Sequence, residues 1–144
     1  LWEFTDSRMG YSFGEPMIVK TRKYGWTVIF TSGYNTPDGQ GYLFFVNPKT
    51  GALLEAVSTG VGTVANDAGL AHANAYVLDF TDGYADAIYA GDLLGNLWRL
   101  NVTGTTGSYP APLRLATLSH PTEGAQPVTS RPLIEVHPTT RQRV

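Results

Sequence analysis

The sequence contains no cysteine, which excludes disulfides and thiolate metal sites but leaves the compartment open. Charge is also sparse: 15% of the 144 residues are Asp, Glu, Lys or Arg, and the formal net charge is −2. The basic residues are scattered, with Arg22 and Lys23 in an expected turn and Arg141 and Arg143 near the end. That distribution excludes an electrostatic nucleic-acid binder, whose footprint is a clustered Lys/Arg face. No apolar run approaches the roughly 20 residues of a membrane-crossing helix, so the chain is not expected to span a membrane. There is no signal peptide and no initiator Met, and the chain reads as a piece of a longer protein. His72, His120 and His137 lie far apart, no Ser-His-Asp or His-x-x-x-His arrangement is legible, and no Gly-rich loop opens a helix. Nucleophilic, zinc and phosphate chemistry therefore lack support, and the chain is read as not an enzyme.

What is present is a fold-competent composition rich in turns: 42% hydrophobic, 12% aromatic, with 16 glycines and nine prolines. The most explicit stretch runs from Ala73 to Gly104. Asn74–Asp79, Asp86–Gly91 and Asn96–Val102 are short, rich in β-branched and aromatic residues, and bounded by Gly, Asp and Asn, as strands joined by tight turns are. None of it has helical periodicity. Upstream, Glu15–Thr21, Trp26–Ser32, Tyr42–Asn47 and Leu53–Ser58 form a series of four predicted strands. The Gly-rich segment Thr59–Gly69 crosses to the central stretch, which Pro112–Leu118 completes as a second four. Leu1–Thr5 is expected to be a strand left from an earlier series. Arg131–His137 is expected to open a later one, with Gln142–Val144 beginning its partner.

Internal repetition is the strongest signal. Openings at Glu15, Asn74 and Arg131 are separated by about 55–60 residues, and LWEF, LFFV and LWRL fall in step with them. Four short antiparallel strands per unit, joined by Gly/Pro-rich crossovers, is the plan of a β-propeller blade. The fold class is all-β, with the end of one blade at 1–14, blades at 15–73 and 74–130, and the start of another at 131–144. A β-sandwich also has many short strands, but gives no reason for each third strand to carry a Leu-aromatic pair. Open blade edges invite pairing with another chain, so self-association is expected.

The string Tyr89-Ala-Gly-Asp-Leu-Leu-Gly-Asn-Leu-Trp-Arg-Leu100, preceded by Asp79-Phe-Thr-Asp-Gly-Tyr-Ala-Asp86 and by Trp26–Tyr34, resembles the C-terminal β-propeller of the PilC/PilY family of type IV pilus tip-associated adhesins. The resemblance implies an exported bacterial protein at the cell surface, outer membrane or pilus tip. It also implies roles in pilus assembly, control of retraction, surface attachment and twitching motility. Pilus subunits and the assembly machinery would be its partners, together with a host-cell receptor. In some members an EF-hand-like loop in the propeller binds calcium and controls these outputs.

The acidic turn is the candidate metal site. Asp79, Thr81, Asp82 and Asp86 carry side-chain oxygens, Gly83 follows Asp82, and the Tyr84 carbonyl offers a backbone ligand, which is the kind of donor set Ca2+ takes. Asp82, Tyr84 and Asp86 match the D-x-[DN]-x-[DN]-G pattern, but Leu78 and Phe80 stand where its first two ligands belong. Asp79 and Thr81 would substitute only if the loop, one residue short, closed differently. The alternative is that Asp82-Gly83 is a hairpin turn and Asp86 a capping or surface residue. Asp92 most simply caps a turn, and Trp2, Trp26 and Trp98 most simply fill a core. Two further functional readings stay open: a piece of a quinone-dependent dehydrogenase propeller, for which Tyr42–Gly51 is one loose repeat, and a scaffold that only docks other proteins.

Overall fold

The computed structural model describes residues 1–137, 139 and 140. It contains two four-stranded antiparallel sheets of identical order and, among the described residues, no helix. The first sheet runs β1 (Met17–Thr21), β2 (Gly25–Thr31), β3 (Tyr42–Val46) and β4 (Leu53–Ser58), and the second β5 (Ala73–Tyr76), β6 (Ala87–Gly91), β7 (Asn96–Asn101) and β8 (Leu113–Thr117). Each strand pairs with its sequence neighbour, as hairpin connections dictate. These eight strands coincide with the eight expected from the sequence to within a few residues at their ends. Register breaks in the last pairing of both sheets, at Phe45/Val46 and at Leu97/Trp98, so the outermost strand of each is bulged alike.

Period-2 alternation decides what each sheet face does. In the first sheet Ile29 pairs with Phe45 and Leu43 with Val57, and all four lie in one buried cluster. Their neighbours Val28, Phe30, Tyr42, Phe44 and Val46 point the opposite way into a second cluster. In the second sheet Ile88 pairs with Leu100 and Ala90 with Trp98, and these join the first cluster. The two sheets thus pack face to face across one apolar seam, while the far side of the first sheet has a core of its own.

Three expectations fail. Leu1–Thr5 is not a strand; without a neighbouring strand to bond its backbone, it straps across the far face. Phe4 sits edge-on to Phe30 at 5.3 Å and tilted on Phe44 at 5.5 Å, and the Trp2 indole donates to the Pro48 carbonyl at 3.0 Å. Arg131–His137 is likewise no strand; its Pro132 carbonyl accepts from Asn74 Nδ2 at 2.9 Å. Gln142–Val144 lies outside the described residues. The stretch after Leu118, where the sequence reading places no strand, holds an exposed mini-hairpin, β9 (Ser119–His120) with β10 (Gly124–Ala125), whose turn amides at Thr122 and Glu123 point to His120 Nδ1.

The repeated Leu-aromatic pair is also out of phase. Leu43 faces the seam and Phe44 the far side, whereas in the second sheet Trp98 takes the seam and Leu97 lines the opposite face. The repeat is real at the level of strand order, and the shared dipeptide is not a shared packing position.

Candidate functional site at the seam between the sheets

The segment Tyr89–Leu100 builds a closed polar knot. Asp92 is fully buried between β6 and β7. Its Oδ1 accepts the Asn96 amide at 2.8 Å, and its Oδ2 accepts Asn96 Nδ2 at 2.9 Å and the Trp98 indole at 2.7 Å. The Asp92 carbonyl accepts Val128 N at 2.9 Å, and Leu93 N donates to the Ala68 carbonyl of the crossover at 2.7 Å. Gly95 takes φ +80°, and a Cβ there would meet the Leu118 carbonyl at 2.3 Å, so the turn requires glycine. Asp92 is therefore the turn cap expected of it, with every carboxylate contact directed to the hairpin it closes. Trp98 is core as expected, whereas Trp26 is well exposed on β2 and Trp2 partly so.

A second polar cluster ties the sheets at the opposite end of the strands. Glu55 on β4 accepts the Lys23 ammonium at 2.7 Å and the Tyr24 hydroxyl at 2.8 Å on Oε2, and the Tyr109 amide at 2.7 Å on Oε1. Burial pushes the Glu55 carboxyl up; the Lys23, Tyr24 and Tyr109 donors outweigh it and hold the group below its ordinary value. Burial likewise lowers Lys23, but its bonds to Glu55 and Tyr24 leave it raised. Tyr109 packs on Phe45 with ring centroids 5.0 Å apart, so the loop before β8 is pinned to the first sheet by an aromatic ring and a backbone bond together.

The acidic turn lies beside this cluster, between β5 and β6. Asp79 is turned onto its own loop: Oδ1 accepts both the amide of Thr81 at 2.8 Å and its hydroxyl at 2.6 Å, and these bonds lower its carboxyl pKa. The Thr81 hydroxyl is therefore spent as a donor. Gly83 has φ +67° and its amide donates to the Asp79 carbonyl at 3.1 Å. Asp82 Oδ1 accepts the Tyr84 amide at 2.9 Å, and Asp86 Oδ2 accepts Leu78 N at 2.8 Å. The remaining oxygens face an arginine from the first sheet: Arg22 reaches Asp82 Oδ2 at 3.2 Å and Asp86 Oδ1 at 3.7 Å. Lys20 Nζ and the Arg22 guanidinium lie 4.1 Å and 4.9 Å from the centre of the Tyr84 ring. Backbone pairing fixes the contact, with Ala85 N donating to the Lys20 carbonyl at 2.8 Å.

As a calcium shell these donors do not fit. Calcium takes about six to eight oxygens converging on one point, whereas Asp79 and Thr81 bond each other, Asp82 and Asp86 share a guanidinium, and Leu78 and Phe80 project to solvent. No group of three or more His, Asp or Glu side chains able to hold a metal occurs among the described residues. The turn holds both features of the alternative reading, an Asp82-Gly83 turn and an Asp86 cap. Sequence reasoning missed Lys20 and Arg22. The signal was available, because they stand about one repeat ahead of Asp82 and Asp86, and equivalent positions of stacked repeats lie side by side.

Comparison with known proteins places this architecture. The family model of the PilY1 beta-propeller domain matches residues 3–124. A type IV pilus biogenesis factor PilY1 homolog of Xylella fastidiosa is 38% identical over 114 residues, covering 72% of this chain and 8% of that protein. The type IV pilus biogenesis factor PilY1 of Pseudomonas aeruginosa (strain UCBPP-PA14) is 33% identical over 113 residues, covering 74% and 9%. The crystal structure of the Pseudomonas aeruginosa PilY1 C-terminal domain superposes with a TM-score of 0.80 at 25% identity, over 96% of this chain and 32% of that one. The chain thus spans about a tenth of the length of these curated relatives. With its two antiparallel four-stranded sheets as blades, the chain belongs to the PilY1 β-propeller family.

Proposed function

We propose that this chain is a non-enzymatic structural part of a type IV pilus biogenesis factor, two blades that hold surface loops in fixed positions for contacts with pilus subunits and the assembly machinery. The family match over residues 3–124 carries the reading. The structure is compatible with it: the residues of the family-like string, Asp92, Asn96 and Trp98, bond one another inside a hairpin, so their chemistry serves rigidity. Residues 1–14 and 131–144 are assigned to the adjoining blades of the parent propeller. Export to the bacterial surface or pilus tip, attachment to a host-cell receptor and control of retraction and twitching belong to the same proposal. Calcium control is left out of it, because the candidate donors are engaged with one another and with Arg22.

The test is removal of residues 1–137 from the parent protein in its own bacterium, with surface pili and twitching scored beside immunoblots of the truncated protein. Loss of pili or motility at retained protein level is the expected result. Wild-type piliation and motility would remove the proposal.

A further inference from the structure

We propose that Arg22 is the resident cation of the acidic turn: the first blade supplies, through one guanidinium, the positive charge that binds the loop 79–86 of the second blade, and no metal is needed to order it. None of this depends on the pilus reading. Four observations converge. Asp82 and Asp86 each keep one oxygen for a backbone amide and turn the other toward Arg22, so one planar guanidinium bridges the two carboxylates. Two of the three cations of that strand end gather on the turn, Lys20 and Arg22 against Tyr84 and the Lys20 ammonium within 3.5 Å of the Asp82 carbonyl, while Lys23 is held by Glu55. A divalent ion added there would meet two positive charges before it met a full oxygen shell.

The third observation is the composition of the loop itself. Leu78 and Phe80, at positions where a metal loop places its first ligands, are exposed, and the missing residue leaves Asp79 closing a turn on Thr81. The fourth is topological. Arg22 lies in the connection from first to second strand of one blade, and the acidic turn is that same connection in the next, so the repeat brings a basic and an acidic version of one loop into contact. The arrangement makes the loop a latch between blades. It is set by the sequence of the neighbouring blade and is insensitive to the calcium level.

The experiment is a thermal-unfolding cycle on the chain with Arg22→Gln, Asp82→Asn and the double variant, each in calcium and in chelator, beside calorimetric calcium titration of the wild type. The wild type is expected to melt at the same temperature in both buffers and to give no saturable heat. Arg22→Gln should melt lower by about 2–4 °C, and the double variant should lose less than the sum of the singles. A wild-type melting temperature raised by calcium and returned by Asp82→Asn would overturn the proposal in favour of a metal site. Additive losses would overturn it by showing that the arginine and the carboxylate are not coupled. If Arg22→Gln yields no folded protein, the same cycle is run with Arg22→Lys, whose single ammonium reaches one carboxylate, and the same two results decide.

Discussion

The two blades share strand order, connection pattern and a bulge in their last pairing, yet their outward faces differ. On the first, β3 is buried along its whole length, its alternate side chains feeding both the seam and the far cluster of Val28, Phe30, Tyr42, Phe44 and Val46. That cluster is covered by Phe4 and Met9, with the Arg8 guanidinium lying 5.6 Å from the Phe44 ring centre and pinned by Asp6 at 2.7 Å. On the second, β8 is exposed throughout, and Leu113, Leu115 and Leu133 lie open on the outer side. A strand buried on two faces must be apolar at every position, as Tyr42–Val46 is, whereas one covered on a single face alternates, as Asn96–Asn101 does. What differs between the blades is therefore what lies against them, and the composition of the third strand follows it.

The sharpest way to separate a covered face from an open one is a truncation on each. Phe45→Ala, in the seam, should cost about 3–5 kcal/mol by lost transfer and cavity formation, and Leu115→Ala on the open face less than about 0.5 kcal/mol, both read by chemical denaturation. Equal costs would mean that the open face is buried in solution. Next comes the Asp92 knot. Asp92→Ala leaves the Asn96 amides and the Trp98 indole without an acceptor in a buried hairpin, a loss of about 3 kcal/mol or more at about 1–3 kcal/mol per orphaned group. Retained stability would show that water replaces the carboxylate.

A smaller effect is expected at the Glu55 tie, where Glu55→Gln removes a charged acceptor from Lys23 and should cost about 1–3 kcal/mol. The pH dependence has a definite sign. A carboxyl held below its ordinary value of 4.5 contributes stability that is present above that value and is lost as pH falls through the folded one. Lys23, raised above its ordinary 10.5, contributes below that value and is lost as pH climbs through the folded one. The wild type should therefore lose melting temperature faster than Glu55→Gln on acidification below about pH 4.5. Parallel acid limbs would show that the seam does not depend on this pair.

Much of the plan was legible because most of its pairing is local. Short runs rich in β-branched and aromatic residues, bounded by Gly, Asn and Asp, mark Tyr42–Val46 or Ala87–Gly91 as strands, and neighbours joined by short connections pair antiparallel wherever the rest of the chain goes. Leu1–Thr5 and Arg131–His137 carry the same local pattern and are not strands, because a strand exists only with a partner to bond its backbone. The candidate metal residues were legible as an acidic turn and not as a donor set. Whether Asp82 faces a metal or an arginine depends on Arg22, which a propensity or a motif at 79–86 does not contain.

The amino-acid sequence by itself determined the all-β class, the repeat, the order of the eight strands and, through YAGDLLGNLW, the family: these rest on residue type and on contacts between neighbours in the chain. Only the tertiary structure decided which sheet face is covered, which of Leu97 and Trp98 fills the seam, and that an arginine from one blade closes the acidic turn of the next. The reason is physical. Those outcomes are settled between residues about one repeat apart, where the docking of whole sheets brings side chains together that no local pattern relates.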